Sequence, residues 1–257
     1  MAKKLPTLGN ILITGASSGI GEALARDYAE PGRFLALTGR DKDRLEDVAK
    51  ACRTFGAEVE AKPVDVTRRD DLARWIADID AHHPLDLVIA NAGTSSGSGG
   101  RGENEDQARD IFTVNLAGVL NTVWPAIAPM RERRRGQIAI ISSVAAFRGL
   151  PGAPAYAASK AAVKVYGEGL RGWLAADRIK VSVVCPGFVR TRMTENNIYP
   201  MPFLMDADKA ARIIRRGLER NKARIAFPWP MYAMAWFLGT LPPGWTDWVF
   251  KKMPRKD

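Results

Sequence analysis

Short aliphatic runs recur along this chain of 257 residues, separated by longer amphipathic stretches, and that alternation limits the fold more than any other feature. The runs predict strands near residues 10–14, 34–38, 57–64, 86–90, 137–142, 180–185 and 224–227. The spacing of apolar positions between them predicts helices near 19–29, 42–55, 69–81, 103–130, 155–176 and 207–221. Strands apolar on both faces and separated by helices imply a parallel sheet covered on both sides, joined by right-handed crossovers. The expectation is an α/β, doubly wound parallel sheet forming a single domain over about residues 1–227, with an extension over 228–257. A chain of this length buries one sizeable core.

Composition narrows the class. With 46% hydrophobic and 26% charged residues, disorder and collagen-like repeats are excluded. Cys52 and Cys185 stand far apart with no CxxC, so the chain reads as a cytoplasmic protein with reduced, buried thiols. After Lys3 and Lys4 the apolar run Ile11-Leu12-Ile13 is too short for an export signal. The uncharged run 225–246 contains Pro228, Pro230, Pro242 and Pro243, which leave 231–241 as a core, cap or interfacial helix, too short to cross about 30 Å of hydrocarbon.

The first chemistry lies in Thr14-Gly15-Ala16-Ser17-Ser18-Gly19-Ile20-Gly21, directly after a predicted strand and opening a helix. Glycines let the backbone turn tightly and approach a pyrophosphate, whose charge is met by the free N–H groups and positive dipole end of the helix. The spacing is G-x-x-x-G-x-G. Together with Asn91-Ala92-Gly93, Asn115, Ser142-Ser143, Tyr156-Ala157-Ala158-Ser159-Lys160 and Pro186-Gly187, in that order, it resembles the short-chain dehydrogenase/reductase family over about residues 8–195. The resemblance implies a Rossmann fold, oxidoreductase activity, a nicotinamide cofactor and a homo-oligomer.

The residues support this chemistry independently. Tyr156 and Lys160 stand four apart and share a helix face. Lowering a phenol from near 10 by three units takes about 4 kcal/mol. A cation about 4 Å away contributes on the order of 4 kcal/mol at an effective dielectric near 20. One lysine is about sufficient to make tyrosine an acid-base group near neutrality. Ser143 precedes Tyr156 by thirteen residues. The resemblance implies that Ser143 hydrogen-bonds the substrate oxygen and that Tyr156 exchanges a proton with it. It further implies that Lys160 holds the nicotinamide ribose and that Asn115 anchors a water relaying protons to the lysine. Ser142 is the alternative to Ser143, since neighbours at a strand end face opposite ways.

The second predicted strand ends Thr38-Gly39-Arg40, where an NAD-selecting protein of this class usually carries an acid. A guanidinium suits a 2′-phosphate, so NADP is expected, with Asp41 capping the next helix. Gly15, Ser17, Ser18, Gly19, Ile20, Gly21, Arg40, Asn91, Ala92 and Gly93 are the expected dinucleotide contacts, with Tyr156, Lys160, Pro186 and Gly187. By resemblance, Asp65 and Val66 contact adenine, and Val189 and Thr191 hold the carboxamide. Phe147, Arg148, Leu150 and the segment 193–205, with Met193, Ile198, Tyr199, Met201, Phe203, Leu204 and Met205, are the expected pocket wall. Their character favours a small hydrophobic ketone, aldehyde or secondary alcohol, while Glu195 or Arg148 offers recognition of a polar substituent.

The formal net charge is +10, and residues 201–257 hold eleven basic and five acidic side chains, six of the ten. Four of seven tryptophans, Trp229, Trp236, Trp245 and Trp248, fall beside them. This pattern suits a tail that covers the active site, forms a subunit seam or lies peripherally on a membrane. No nucleic acid is expected, because the Arg131–Arg135 run sits at a helix C-terminus that its dipole favours. His82-His83 lacks ligands at metal spacing and reads as a solvated helix end, so no metal site is expected. The alternatives to a carbonyl reductase are an NADP-sensing or interaction protein on the same scaffold and a reducer of ketoacyl thioesters.

Overall fold

The computed structural model describes residues 9–95, 103–195 and 200–250, with side chains through Thr246. Residues 96–102, the expected wall residues Ile198 and Tyr199, the Trp248 side chain and residues 251–257 lie outside the described residues.

Seven strands form one parallel sheet: β1 (Asn10–Thr14), β2 (Phe34–Thr38), β3 (Glu58–Lys62), β4 (Leu87–Ala90), β5 (Gly136–Ile141), β6 (Ile179–Pro186) and β9 (Arg224–Phe227). Their order is β3-β2-β1-β4-β5-β6-β9. β1 pairs with β2, Thr14 opposite Thr38, and on its other edge with β4, Ile13 opposite Ile89. The chain therefore winds outward from β1 in one direction and from β4 in the other, leaving a crevice at the carboxyl ends of these two strands.

Alternation within β1 explains both faces of the core. Ile11 and Ile13 pack with the helices α1 (Gly19–Tyr28), α2 (Lys42–Thr54) and α8 (Ala207–Glu219). Leu12 faces the opposite layer, built on α3 (Arg69–His82), α5 (Gly118–Glu132) and α6 (Pro154–Trp173). β3 is the exception to the expectation of doubly apolar strands: it is five residues long and alternates exposed Glu58, Glu60 and Lys62 with half-buried Val59 and Ala61. It is an edge strand, and charge there blocks pairing with another sheet.

The predicted helix 103–130 is continuous but not uniform. α4 (Glu105–Phe112) passes through a π-helical turn, Thr113–Ala117, into α5. After β6 the chain makes a short parallel pair, β7 (Val189–Arg190) with β8 (Met205–Asp206), around α7 (Arg192–Glu195). The tail forms α9 (Trp229–Thr240) and α10 (Pro243–Phe250). α9 starts before the expected residue 231 because Pro230 falls in its first turn, where a missing N–H costs nothing.

Candidate active site

A cleft of about 1030 Å³ runs across the carboxyl ends of the strands, from Arg40 after β2 to Pro186 and Gly187 at β6. Its first wall is the glycine turn. Gly15 has φ +68, and a Cβ there would lie 2.8 Å from Ala92 Cα. Gly21 faces inward: a Cβ on it would reach 2.2 Å from the Gly15 carbonyl oxygen, so this glycine lets α1 start against the turn. It does not line the cleft as Gly15, Ser17, Ser18, Gly19 and Ile20 do. Asn91 braces the same turn, its Nδ2 donating to the carbonyls of Thr14 at 2.9 Å and Gly15 at 3.2 Å. Thr14 Oγ1 in turn accepts from the amides of Asn91 and Ala92. Ser18 at the N-cap of α1 makes no side-chain cap bond.

Past β2, Arg40 is exposed and makes no hydrogen bond or ion pair with the described residues. Asp41 caps α2 as expected, accepting from Arg44 N at 3.0 Å. Sequence reasoning missed Arg44, which lines the cleft beside Arg40 and pairs with Asp41 at 2.8 Å while its buried Nε has no partner. Its place three residues behind a capping aspartate was the available signal. Asp65 accepts from Thr67, and the Val66 carbonyl accepts from Asn121 Nδ2; both residues line the cleft.

At the other end, about three strand spacings or 14 Å along the sheet, Ser143 and Tyr156 line the same space. Ser143 follows β5 and accepts from Ala145 N at 3.1 Å, while its hydroxyl donates weakly to Pro186 O at 3.4 Å. Ser142 turns away, donating to the Lys160 carbonyl at 2.7 Å. Tyr156 is half-buried in the first turn of α6. Lys160, one turn on, is 4% exposed, lies 5.9 Å from the Tyr156 ring centre and donates from Nζ to Ile141 O at 3.1 Å. Burial lowers its pKa to about 8, with Cys185 opposing slightly. It stays mostly cationic at neutral pH.

Asn115 sits in the π turn, fully buried and outside the cleft wall. Its amide is committed: Oδ1 accepts from Thr94 N at 2.7 Å, and Nδ2 donates to Thr94 O and to Ser159 Oγ at 3.1 Å. Ser159 Oγ donates onward to Tyr156 O at 2.8 Å. The observed part of Asn115 is thus to tie Thr94 to the helix of Tyr156 and Lys160. A Cβ on Gly93 would stand 3.1 Å from Asn115 Oδ1 and 3.2 Å from Lys160 Nζ, so Gly93 keeps open the space between them. A π turn at such a position accommodates one extra residue to aim a side chain.

Val189 and Thr191 line the cleft, Thr191 packing its methyl over Gly19. Of the expected pocket residues, Arg148, Leu150 and Met193 line it as well. Phe147 instead packs edge-on against Tyr232, ring centres 5.4 Å apart, Phe203 is exposed, and Met205 belongs to β8. Met201, Leu204 and Glu195 are also absent from the wall. The missing wall comes from the tail: Met231, Met234, Ala235 and Leu238 of α9. α9 is held close because Gly187 and Gly239 lack side chains; a Cβ would meet Met231 Sδ at 2.6 Å and Phe147 O at 2.2 Å respectively. Arg148 Nη2 donates to the Pro243 carbonyl and the Thr246 hydroxyl. Met234 stands at the exposed rim of the cleft, while α9 leaves Trp229, Trp236 and Phe237 exposed and Trp245 of α10 joins them.

A doubly wound sheet with a glycine turn at its switch point and a serine, tyrosine and lysine beyond it defines a dinucleotide-binding oxidoreductase. The short chain dehydrogenase family profile matches residues 9–200, and the chain belongs to the short-chain dehydrogenase/reductase family. It is 37% identical over 221 residues to an uncharacterized oxidoreductase of Myxococcus xanthus, covering 86% of this chain and 87% of the relative. It is 36% identical over 249 residues to the 11-beta-hydroxysteroid dehydrogenase-like 2 protein of Arabidopsis thaliana, covering 93% and 75%. Among solved structures, a short-chain dehydrogenase from Sphingobium yanoikuyae in complex with NADPH superposes with a TM-score of 0.80 at 28% identity, covering 97% of this chain and 98% of that one.

Proposed function

We propose that this oxidoreductase interconverts a hydrophobic ketone or aldehyde and its alcohol with NADP. The observation that carries the reading is one cleft lined at one end by Ser143, Tyr156 and Lys160 and at the other by Arg40 and Arg44. The residues fit the cofactor: the N-cap of α1 makes no side-chain cap bond, which suits a pyrophosphate, and two guanidinium groups suit a 2′-phosphate. Bound nicotinamide supplies or accepts the hydride, which no side chain can provide.

In the reduction, the Ser143 hydroxyl exchanges its long bond to Pro186 O for the substrate oxygen and orients the carbonyl. Tyr156 Oη gives its proton to that oxygen as the carbon receives hydride, so the product is the neutral alcohol and the tyrosine is left as phenolate. The Lys160 ammonium stabilises that anion, and the Asn115–Ser159 bonds hold the helix on which both stand. The apolar wall of Met193, Met231, Met234 and Leu238 favours a hydrophobic substrate over a sugar.

A panel of aromatic and aliphatic ketones and aldehydes assayed with NADPH tests the reading; turnover is expected, best with apolar members, and no turnover across the panel overturns it. NADPH binding tighter than NADH is expected, and equal or tighter NADH affinity overturns the cofactor assignment. Two surfaces bear on assembly. Phe112, Trp124, Val165 and Trp173 are exposed on α4, α5 and α6, which supports a homo-oligomer through that side. The exposed aromatics of α9 and α10, beside a basic carboxyl terminus, support peripheral contact with an anionic membrane surface.

A further inference from the structure

The first turn of α6 carries Tyr156 and has no local cap. Ala153 at its N-cap has no side-chain acceptor, and Pro154 brings no N–H. The next two amides are taken by a carboxylate from far upstream: Glu103 Oε2 accepts from Ala155 N at 2.5 Å and Oε1 from Tyr156 N at 3.1 Å. The following residue, Asn104, closes the start of α4 through a capping box with Gln107. α4 leads into the π turn of Asn115. Two consecutive residues thus anchor the helices that present Tyr156 and Asn115.

We propose that Glu103 is a positioning residue for Tyr156, fixing the first turn of α6 by its two bonds and setting the acidity of the phenol by its charge. The inference rests on the reading of Tyr156 as the proton donor. Both effects follow from the same geometry. An unanchored first turn frays, and the ring at its third position then loses its aim at the substrate oxygen. The open end of a helix also carries partial positive charge, which favours a phenolate nearby. A carboxylate seated on that end offsets the charge and, against the cations Lys160 on the same helix and Arg148 in the same cleft wall, keeps the phenol protonated to higher pH. Asn104, which caps only α4, has neither effect on α6.

The test compares Glu103→Ala, Glu103→Gln and Asn104→Ala by amide hydrogen exchange over residues 153–158, by steady-state kinetics with NADPH and by pH–rate profiles. Glu103→Ala is expected to lose exchange protection in the first turn of α6 and to lower kcat on the order of tenfold, a misplacement effect, with KM for NADPH little changed. Glu103→Gln keeps one acceptor oxygen, enough for one of the two amides, and is expected to restore the protection and kcat only in part. Both Glu103 variants should move the tyrosine limb of the pH profile to lower pH, whereas Asn104→Ala should leave it in place. Wild-type exchange in Glu103→Ala, or a pH limb unmoved in both Glu103 variants, overturns the proposal. The exchange measurement does not depend on turnover, so a chain inactive on every substrate would count against the proposed function and leave the anchor to be judged by exchange. If Glu103→Ala fails to fold, Glu103→Gln and its pH limb decide.

Discussion

Lys160 combines deep burial with a charge, and both properties can be read out. Burial lowers its pKa to about 8 from the 10.5 of a free lysine. The unfolded chain therefore binds more protons than the native one between these values, and stability rises with pH across that window. The cost of the buried cation is fully present below pH 8 and is relieved as pH climbs through 8 toward 10.5. Denaturant unfolding of the cofactor-free protein should show this rise in the wild type, and Lys160→Met should flatten it; a parallel slope in the variant would contradict the assignment. Arg40 and Arg44 make a second pair of expectations. Arg40→Asp should reverse the preference for NADPH over NADH, and Arg44→Ala should weaken NADPH on the order of tenfold while sparing NADH, as expected for a lost charge-assisted bond. Titration of cofactor fluorescence measures both. Arg40 was readable because it stands two residues past the end of β2. Arg44 was not, because its place in the cleft depends on how Asp41 caps α2.

The elements most faithfully written in the chain are those whose periodicity is local: β1, β2, β4, β5 and β6, and the helices between them, fall within a few residues of expectation. The features that escaped are set by distant contacts. Nothing within Thr113–Ala117 announces a π turn; it forms where Asn115 bonds both Thr94 and Ser159. Likewise α9 belongs to the cleft because Gly187, far from it in sequence, and its own Gly239, facing the distant Phe147 carbonyl, let it approach, a fact no window of sequence contains. Gly239→Val would put its Cβ 2.2 Å from the Phe147 carbonyl oxygen, lifting α9. KM for apolar substrates should rise on the order of tenfold, about one lost side-chain contact, with NADPH affinity retained. Unchanged KM in a folded variant would show that α9 contributes no wall. Gly21→Ala, clashing with Gly15 O, should act oppositely, weakening cofactor binding first.

Across the whole chain, part of the positive charge clustered after residue 200 is engaged within the fold. Arg215 pairs with Glu30 at 2.6 Å and Glu219 at 3.1 Å, fastening α8 to α1, and Arg224 pairs with Glu168. Lys209, Arg212, Arg216, Arg220 and Lys222 remain exposed. Flotation with anionic vesicles at low salt, reversed by high salt, is the expected behaviour of the full chain, and a chain ending at residue 227 should not float; no flotation at any salt would remove membrane contact. Light scattering on eluted protein should give a multiple of 28.1 kDa, against a monomer if the α5–α6 side has no partner. The central claim is that Tyr156 in this cleft gives its proton to the oxygen of a carbonyl as that carbonyl is reduced. The most direct measurement is single-turnover reduction of the best substrate by Tyr156→Phe saturated with NADPH. Turnover should fall by about 10²- to 10⁴-fold with NADPH affinity unchanged, the range for loss of a general acid; turnover at the wild-type rate would contradict it.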